Sequence, residues 1–169
     1  MPEIIVIAHN IRSTYNVGAI FRTAEGFGVT KIILSGYTPY PALTLNPATG
    51  QRDPRLPHIA EKLTSQIHKT ALGAEAIVPF EYQETPNIET LRAQRYRIVG
   101  LEQASSSTQL PEYQAPEKIA LILGEEVHGI PPELLEQVED IIEIPMVGQK
   151  ESFNVSVATG IALYHLSLL

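Results

Sequence analysis

The stretch from Lys118 to Ile130 reads KIALILGEEVHGI, and it decides the fold prediction. Its first six residues are mostly apolar and predict a buried β-strand that ends at Leu123. A loop bracketed by Gly124 and Gly129 follows. Ligands of open α/β sheets bind beyond the carboxyl ends of the strands, so this loop is the expected ligand site. Taken alone, the two glycines are explained at least as well by a plain turn.

Along the rest of the chain, short β-rich runs alternate with segments of helical periodicity. The other predicted strands cover Ile4–Ala8, Lys31–Ser35, Ala76–Phe80, Arg97–Leu101 and Ile141–Ile144. The predicted helices cover 17–27, His58–Leu72, Ile88–Gln94, Pro131–Gln137 and Asn154–Leu168. This alternation predicts an α/β fold with a mostly parallel sheet and helices on both faces. The length of 169 residues predicts one domain that spans residues 1–169.

Two segments are predicted to be loops. Residues 103–117 show no periodicity, and the segment from Gly36 to Pro57 contains five prolines. The second loop is longer than compact domains usually tolerate without a function. We therefore expect it to contact a partner.

The composition excludes several classes of protein. The chain has no cysteine, so neither a disulfide framework nor a thiolate nucleophile is possible. No apolar run approaches the roughly 18 residues that span a bilayer, and the N-terminus has no basic segment typical of a signal peptide. The five histidines lack metal-ligand spacing. We therefore expect a cytoplasmic protein without a metal site or a membrane partner.

The charge is distributed unevenly along the chain. Residues 1–97 contain ten Lys or Arg and eight Asp or Glu, whereas residues 98–169 contain two and eleven. The first part therefore has a net charge of +2 within a chain of net charge −7. Such asymmetry suits a protein that binds a polyanion through one basic face. Solvated helix faces of uneven charge explain it about as well.

Two further motifs stand near the C-terminus. Ile144-Pro145-Met146 ends a predicted strand with a proline, which frees neighbouring backbone groups from the sheet, and an adenine edge is a suitable partner for them. Ser152 and Asn154 precede the last helix, where a side-chain oxygen caps the free N–H groups. Capping is expected to occupy one of these two side chains and to leave the other free in a cleft.

Common catalytic motifs are missing from the sequence. A G-x-G-x-x-G fingerprint, a Walker A loop, a G-x-S-x-G elbow and an H-E-x-x-H helix do not occur. The pair Gly26 and Gly28 follows a predicted helix and is better explained as a helix C-cap. A nicotinamide-dependent oxidoreductase is therefore not supported.

The motifs occur in a fixed order that resembles the SpoU (TrmH-like) RNA ribose methyltransferases of the SPOUT class. Asn16 and Arg22, six residues apart, match the first motif of that family. Gly124 and Glu126, followed by the Ile-Pro-Met strand exit, match the second. Ser152 and Asn154 match the third. Two departures occur, since many members have Asn in place of Glu125 and Leu in place of Phe153.

The resemblance implies a homodimer with a deep C-terminal trefoil knot and S-adenosylmethionine as the methyl donor. The implied reaction methylates a ribose 2′-hydroxyl of tRNA or rRNA. Two alternatives stay open: methylation of an RNA base, and an RNA- or cofactor-binding module without turnover. The sequence does not indicate which RNA or which nucleotide is the substrate, nor which subunit supplies each site residue.

The resemblance also implies roles for individual residues. Expected catalytic residues are Asn16, Arg22, Glu126, Ser152 and Asn154. The expected adenosine pocket consists of Leu101, Gly124, Ile144, Met146, Ser152 and Phe153. From the charge distribution we expect RNA contacts from Arg12, Arg22, Arg52 and Arg55. Arg22 is expected to act either as a general base or as a clamp on a phosphate group.

Overall fold

The computed structural model describes residues 1–168, which form seven β-strands and five α-helices. The strands are β1 Glu3–His9, β2 Lys31–Ser35, β3 Phe80–Gln83, β4 Arg97–Leu101, β5 Thr108–Gln109, β6 Lys118–Leu123 and β7 Asp140–Glu143. The helices are α1 Thr14–Gly26, α2 Pro57–Ala71, α3 Ile88–Ala93, α4 Pro132–Leu135 and α5 Val155–Leu168.

All seven strands belong to one sheet in the order β3-β2-β1-β6-β4-β7-β5, and every neighbouring pair is parallel. The predicted parallel α/β sheet is therefore confirmed. Since the strands are parallel, their carboxyl ends meet at one edge. The chain winds outward from β1 in one direction and then returns to the other side of β1, which creates a crevice at the ends of the central strands.

Helices cover both faces of the sheet, as predicted. Along β1, Ile4, Val6 and Ala8 pack into a cluster that contains buried residues of α1, α2 and α5. Ile5 and Ile7 point to the opposite face and pack with residues of α3 and α4. This alternation explains why β1 is apolar from residue 4 to residue 8, because a strand buried on both faces exposes neither set of side chains.

Gly18 determines how closely α1 and α2 pack. A Cβ atom at this position would lie 2.1 Å from Thr70 Oγ1 and 2.2 Å from the carbonyl oxygen of Ile67. Any larger residue would therefore force the two helices apart. The contact matters for function because the first turn of α1 holds Asn16.

The structure differs from the sequence prediction at two strands. The predicted strand Ala76–Phe80 was placed too early, since Ala74–Ala76 form a 3₁₀ turn and β3 begins at Phe80. Buried Val78 fills the core here without pairing in the sheet. The two-residue strand β5 lies within the predicted loop 103–117, because so short a polar strand has no sequence signal. No helix within residues 1–168 is long and apolar enough to cross a membrane.

Candidate active site

A cavity of about 280 Å³ opens at the carboxyl ends of β4, β6 and β7, beside the start of α5. Five of the six residues predicted to form the adenosine pocket line it: Leu101, Gly124, Ile144, Ser152 and Phe153. Met146 does not line the cavity and is only partly buried beyond the end of β7. Three separate segments of the chain thus form one site, at the sheet edge that the motif order predicted.

The loop after β6 is held closed by its own backbone and by Glu125. The N–H of Glu125 donates to the Gly129 carbonyl (3.2 Å), and the N–H of Gly129 donates back to the Glu125 carbonyl (3.0 Å). The Glu125 carboxylate accepts hydrogen bonds from the N–H groups of Val127 and His128. This residue is 8% exposed. Glu125 therefore stabilises the loop internally.

These hydrogen bonds determine the charge state of Glu125. Desolvation is the largest influence and would raise the pKa of the carboxyl group. The backbone hydrogen bonds from Val127 and His128, together with nearby His128 and Arg12, outweigh it, so the pKa of Glu125 lies below its ordinary value. The loop is therefore organised around a carboxylate anion.

Glu102 fastens the same loop from the neighbouring strand. Its Oε2 accepts a hydrogen bond from the N–H of Ile130 (2.9 Å), and its Oε1 accepts one from the N–H of Gln103 (2.9 Å). The sequence analysis missed this residue. A signal existed, because Glu102 directly follows β4 and so had to lie at the same sheet edge as Gly124.

Gly124 has a different role from the one that its position suggested. A glycine beside a ligand site can make room for the ligand, because it has no side chain. Instead, a Cβ atom at position 124 would lie 2.3 Å from the Gly129 carbonyl carbon and 2.3 Å from the Ile130 nitrogen. The glycine is therefore required for the loop to close upon itself, and a substitution would distort the cavity wall.

Asn16 connects the first motif to the other two. Its side-chain Nδ2 donates to Glu126 Oε1 (3.0 Å), and its Oδ1 accepts a hydrogen bond from Asn154 Nδ2 (3.2 Å). Ser13 caps α1 and accepts from the N–H of Asn16 (3.2 Å), which fixes the helix turn that carries this amide. We call Asn16, Glu126 and Asn154 the amide network. Residues separated by up to 138 positions in sequence thus meet at the cavity mouth.

Asn154 also caps α5. Its Oδ1 accepts hydrogen bonds from the N–H groups of Ser156 (2.9 Å) and Val157 (3.4 Å), while its Nδ2 serves the amide network. Ser152 is exposed, lines the cavity and makes no side-chain hydrogen bond within residues 1–168. One of the two side chains therefore caps the helix and the other is free, as the sequence analysis expected.

Arg22 lies apart from the cavity of its own chain. It is six residues beyond Asn16 on α1, a rise of about 9 Å along the helix, and it is exposed. Among residues 1–168 its guanidinium forms no ion pair. It is flanked on α1 by Ala19 and Thr23, which face α5 across a shallow surface depression. The side chain is thus exposed and available to a ligand, although it does not line the cavity of its own chain.

Of the other arginines expected to bind RNA, Arg55 has an intramolecular role. Its guanidinium pairs with Asp53 (2.7 Å), donates to the carbonyl oxygens of Tyr40 (2.6 Å) and Pro41 (3.0 Å), and lies 3.5 Å from the centre of the Tyr40 ring. It therefore anchors the two ends of the proline-rich loop, and few donors are left for a phosphate group. Arg52 is exposed on the same loop.

Arg12 is exposed beside the start of α1, and its guanidinium carbon lies 5.5 Å from the centre of the Tyr37 ring. The phenol of Tyr37, followed by the carboxylates of Glu125 and Glu126, raises the pKa of Arg12. Arg12 therefore lies between the cavity mouth and a second depression, which is lined by tyrosines.

The cavity is strongly acidic. Its lining includes no lysine or arginine, and the acidic residues that line it are Glu102, Glu125, Glu126, Glu143 and Glu151. Within residues 1–168, no group of three or more His, Asp or Glu is arranged to hold a metal ion. Such a lining favours an organic cation and disfavours phosphate.

The chain is similar to known RNA methyltransferases. The model of the SpoU rRNA Methylase family matches residues 48–164, which include the second and third motifs. A tRNA (guanosine(18)-2′-O)-methyltransferase from Aquifex aeolicus is 30% identical over 162 residues, which cover 96% of this chain and 67% of that protein. Most of the other bacterial relatives are longer still, so the chain spans less than 60% of their length.

Two crystal structures show the same fold. The A. aeolicus TrmH/SpoU tRNA modifying enzyme superposes with a TM-score of 0.76 at 27% identity, covering 99% of this chain and 75% of that one. The AdoMet-bound rRNA methyltransferase from Sinorhizobium meliloti superposes with a TM-score of 0.73 at 24% identity, covering 97% of this chain and 55% of that one. The family match extends over more than half of the sequence and includes the cavity loops. The chain therefore belongs to the SpoU rRNA methylase family.

Proposed function

We propose that this protein transfers the methyl group of S-adenosylmethionine to a ribose 2′-hydroxyl of tRNA or rRNA. The observation that carries the proposal is the amide network, which brings all three motifs to the mouth of one cavity. The names of its relatives support the reaction and the two classes of RNA. A non-catalytic copy is disfavoured, because every expected catalytic residue is present and all of them except Arg22 line the cavity or belong to the amide network.

The cavity suits S-adenosylmethionine in its shape and charge. Leu101, Ile144 and Phe153 offer an apolar lining for an adenine ring, and Ser152 offers a free hydroxyl for the sugar. The five glutamates would favour a ligand with a sulfonium and an ammonium group. When bound, this cofactor would supply an activated methyl group: the C–S bond breaks with its electron pair left on sulfur as a thioether, a C–O bond forms to the ribose oxygen, and the 2′-hydroxyl proton passes to solvent water.

The residues of the chain would position the hydroxyl and stabilise the charge that develops on its oxygen. Glu126 and Asn154, joined through Asn16, form a rigid polar wall where the ribose would enter. Arg22 would bind the adjacent phosphate and favour the alkoxide by its charge. An arginine is not deprotonated under ordinary conditions, so a clamp is chemically simpler than a general base.

We propose that the active unit is a homodimer formed through α5 and α1. Helix α5 is apolar on nearly all sides, yet Val157, Ile161, Tyr164 and Leu168 remain exposed in one stripe at intervals of three to four residues. A continuous apolar stripe of this kind is typical of an interface. Arg22 lies at its edge on α1, so a second copy docked there would bring Arg22 close to the partner's surface.

The dimer is tested by Ile161→Glu, with Thr90→Glu on the opposite face of the sheet as the matched control. We expect sedimentation velocity to show a monomer for the first variant and a dimer for the second. A dimer that persists in Ile161→Glu would place the interface elsewhere.

We also propose that the C-terminal segment forms the deep trefoil knot of the SPOUT class. The segment 102–117 lies over the end of the chain: Gln103 Nε2 donates to the Glu151 carbonyl (2.7 Å), and His165 Nε2 lies 3.0 Å from the Tyr113 carbonyl oxygen. A crystal structure of the protein tests this directly, because the traced chain either passes through the loop or beside it.

We further propose the cytoplasm, where tRNA and rRNA occur, as its compartment.

Two measurements test the proposed reaction in purified protein. Calorimetry should show binding of S-adenosylmethionine and no binding of a nicotinamide dinucleotide. Incubation with labelled cofactor and bulk tRNA or rRNA should then place label in dinucleotides that resist alkaline hydrolysis, because a 2′-O-methyl group blocks cleavage. Label confined to alkali-sensitive mononucleotides would identify a base methyltransferase instead.

A further inference from the structure

A second depression lies next to the cavity mouth and differs from it in chemistry. Its lining includes four tyrosines and two arginines and no carboxylate: Tyr15, Tyr37, Tyr40, Tyr82, Arg12 and Arg55. We call it the tyrosine groove. The acidic cavity, by contrast, is lined by five glutamates and by no lysine or arginine. The groove begins at residues 12–15, immediately before Asn16 of the amide network.

Two of the four rings are free to meet a ligand. Tyr40 and Tyr82 stack on each other with ring centres 4.3 Å apart, and Tyr40 is only 6% exposed. Tyr15 and Tyr37, by contrast, are 51% and 52% exposed. The inner pair therefore forms the floor, and the outer pair presents aromatic surface to solvent.

The turn that presents Tyr37 is built under unusual backbone constraint. Asn10 and Gly36 both have positive φ angles, 57° and 64°. A Cβ atom at Gly36 would lie 1.8 Å from Asn10 Oδ1, the oxygen that accepts the N–H of Tyr37 (3.1 Å). Tyr82 Oη donates to the Gly36 carbonyl (2.7 Å). Strained conformations of this kind persist where the surroundings fix them, often at binding sites.

We propose that the tyrosine groove binds an unpaired RNA base next to the methylated nucleotide, by stacking on Tyr37 and Tyr15, while Arg12 binds the connecting phosphate. Exposed aromatic rings beside a cation are the usual platform for single-stranded RNA. The acidic cavity repels phosphate, so the RNA must approach from a surface of the opposite character. The tyrosine groove is such a surface adjoining the amide network. This inference rests on the proposed function.

The stacking contribution is tested with a fluorescein-labelled single-stranded oligoribonucleotide of mixed sequence. Tyr37→Ala should weaken its binding by roughly 5- to 150-fold, the range expected for loss of one base stack. Tyr37→Phe is the matched control and should bind like the unchanged protein, since the ring is retained. Melting temperatures of all three should agree, because this side chain is half exposed.

The phosphate contact is separated from stacking by its salt dependence. Arg12→Ala should reduce the slope of log affinity against log salt concentration by about 0.7, the value for one phosphate of a single strand. Tyr37→Ala should leave that slope unchanged. Equal slopes for Arg12→Ala and the unchanged protein would show that Arg12 does not bind a phosphate group of the RNA.

A fluorescent reporter distinguishes a base from a simple polyanion. The chain has no tryptophan, so Tyr37→Trp introduces a single indole into the groove. We expect the oligoribonucleotide to quench its emission and heparin to leave it unchanged. If the oligoribonucleotide binds but Tyr37→Ala and Tyr37→Phe behave alike, the groove is not the binding site although the proposed function stands. If the unchanged protein binds no RNA, both proposals fail.

Discussion

At the scale of single residues, we propose that the amide network positions the substrate and that Arg22 supplies positive charge. Asn16, Glu126 and Asn154 hold one another by side-chain hydrogen bonds at the cavity mouth, so their geometry is set before any ligand binds. Arg22 makes no ion pair within residues 1–168 and is exposed. It therefore has the features of a group that acts on the substrate rather than on the fold.

We predict that Arg22→Ala lowers methyl transfer to RNA by two or more orders of magnitude, in the range typical for loss of one charge-stabilising group. Calorimetric binding of S-adenosylmethionine and the melting temperature should stay close to those of the unchanged protein. Arg22→Lys should recover part of the activity if the charge alone matters. Full activity of Arg22→Ala would remove the residue from the mechanism.

Asn154 allows its two roles to be separated. Asn154→Ala removes the cap of α5 and should lower the free energy of unfolding by about 0.5–2 kcal/mol. Asn154→Asp keeps an oxygen for the cap but loses the Nδ2 donor to Asn16, so stability should be retained while methyl transfer falls. Denaturant unfolding measures the stability of each variant, and a methyl-transfer assay measures its activity. An active Asn154→Asp would show that the link to Asn16 is dispensable.

At the scale of elements, the loop after β6 depends on an ionised side chain. The folded-state pKa of Glu125 is lowered by the N–H groups of Val127 and His128, so its contribution to stability is present above the ordinary pKa of a glutamate. That contribution is lost as the pH falls through the lowered value. The loop is therefore a region of the fold expected to respond to acid.

We predict that Glu125→Gln shows a smaller loss of melting temperature than the unchanged protein when the pH falls from 6 to below about 4.3, the usual glutamate pKa. A neutral amide cannot gain a proton there, so its interactions with the loop do not change. Parallel thermal melts across this pH range measure the difference. Identical pH profiles would mean that Glu125 does not couple to folding.

Some of the strands could be predicted from the sequence, whereas several contacts at the candidate site could not. β2, β4 and β6 have the predicted bounds, because strands buried on both faces form uninterrupted apolar runs. β3 was placed too early, since Val78 in the apolar run before it packs into the core without pairing in the sheet, and the neighbouring Ile77 is exposed. The hydrogen bond from Ile130 to Glu102 joins two separate segments, and the close packing of Gly124 against Gly129 depends on the path of the loop, so hydrophobic periodicity predicts neither contact. The groove around Tyr37 was missed for the same reason.

At the scale of the whole molecule, the cavity and Arg22 are separate features of one chain, because Arg22 is exposed but does not line the cavity. A homodimer through the exposed stripe of α5 would reconcile them, because Arg22 could then serve the cavity of the partner. The acidic cavity and the tyrosine groove would meet at the amide network. Both the binding of RNA and the supply of positive charge by Arg22 would thus depend on the homodimer.

Mixed dimers test whether Arg22 acts across the interface. Arg22→Ala and Asn154→Asp are each predicted to be nearly inactive alone. If Arg22 serves the partner's cavity, a mixed dimer has one site with both residues intact, and activity should return to a sizeable fraction of the original. If Arg22 serves its own cavity, each site in the mixed dimer lacks one residue and no activity returns.

We propose above all that this chain methylates a ribose of tRNA or rRNA. The most direct measurement is mass-spectrometric mapping of ribose methylation in both RNA classes, from cells with the protein, without it and with Arg22→Ala in its place. We predict at least one 2′-O-methylated nucleotide that is present with the protein and absent in the other two. Unchanged ribose methylation in all three, or a change confined to base methylation, would contradict it.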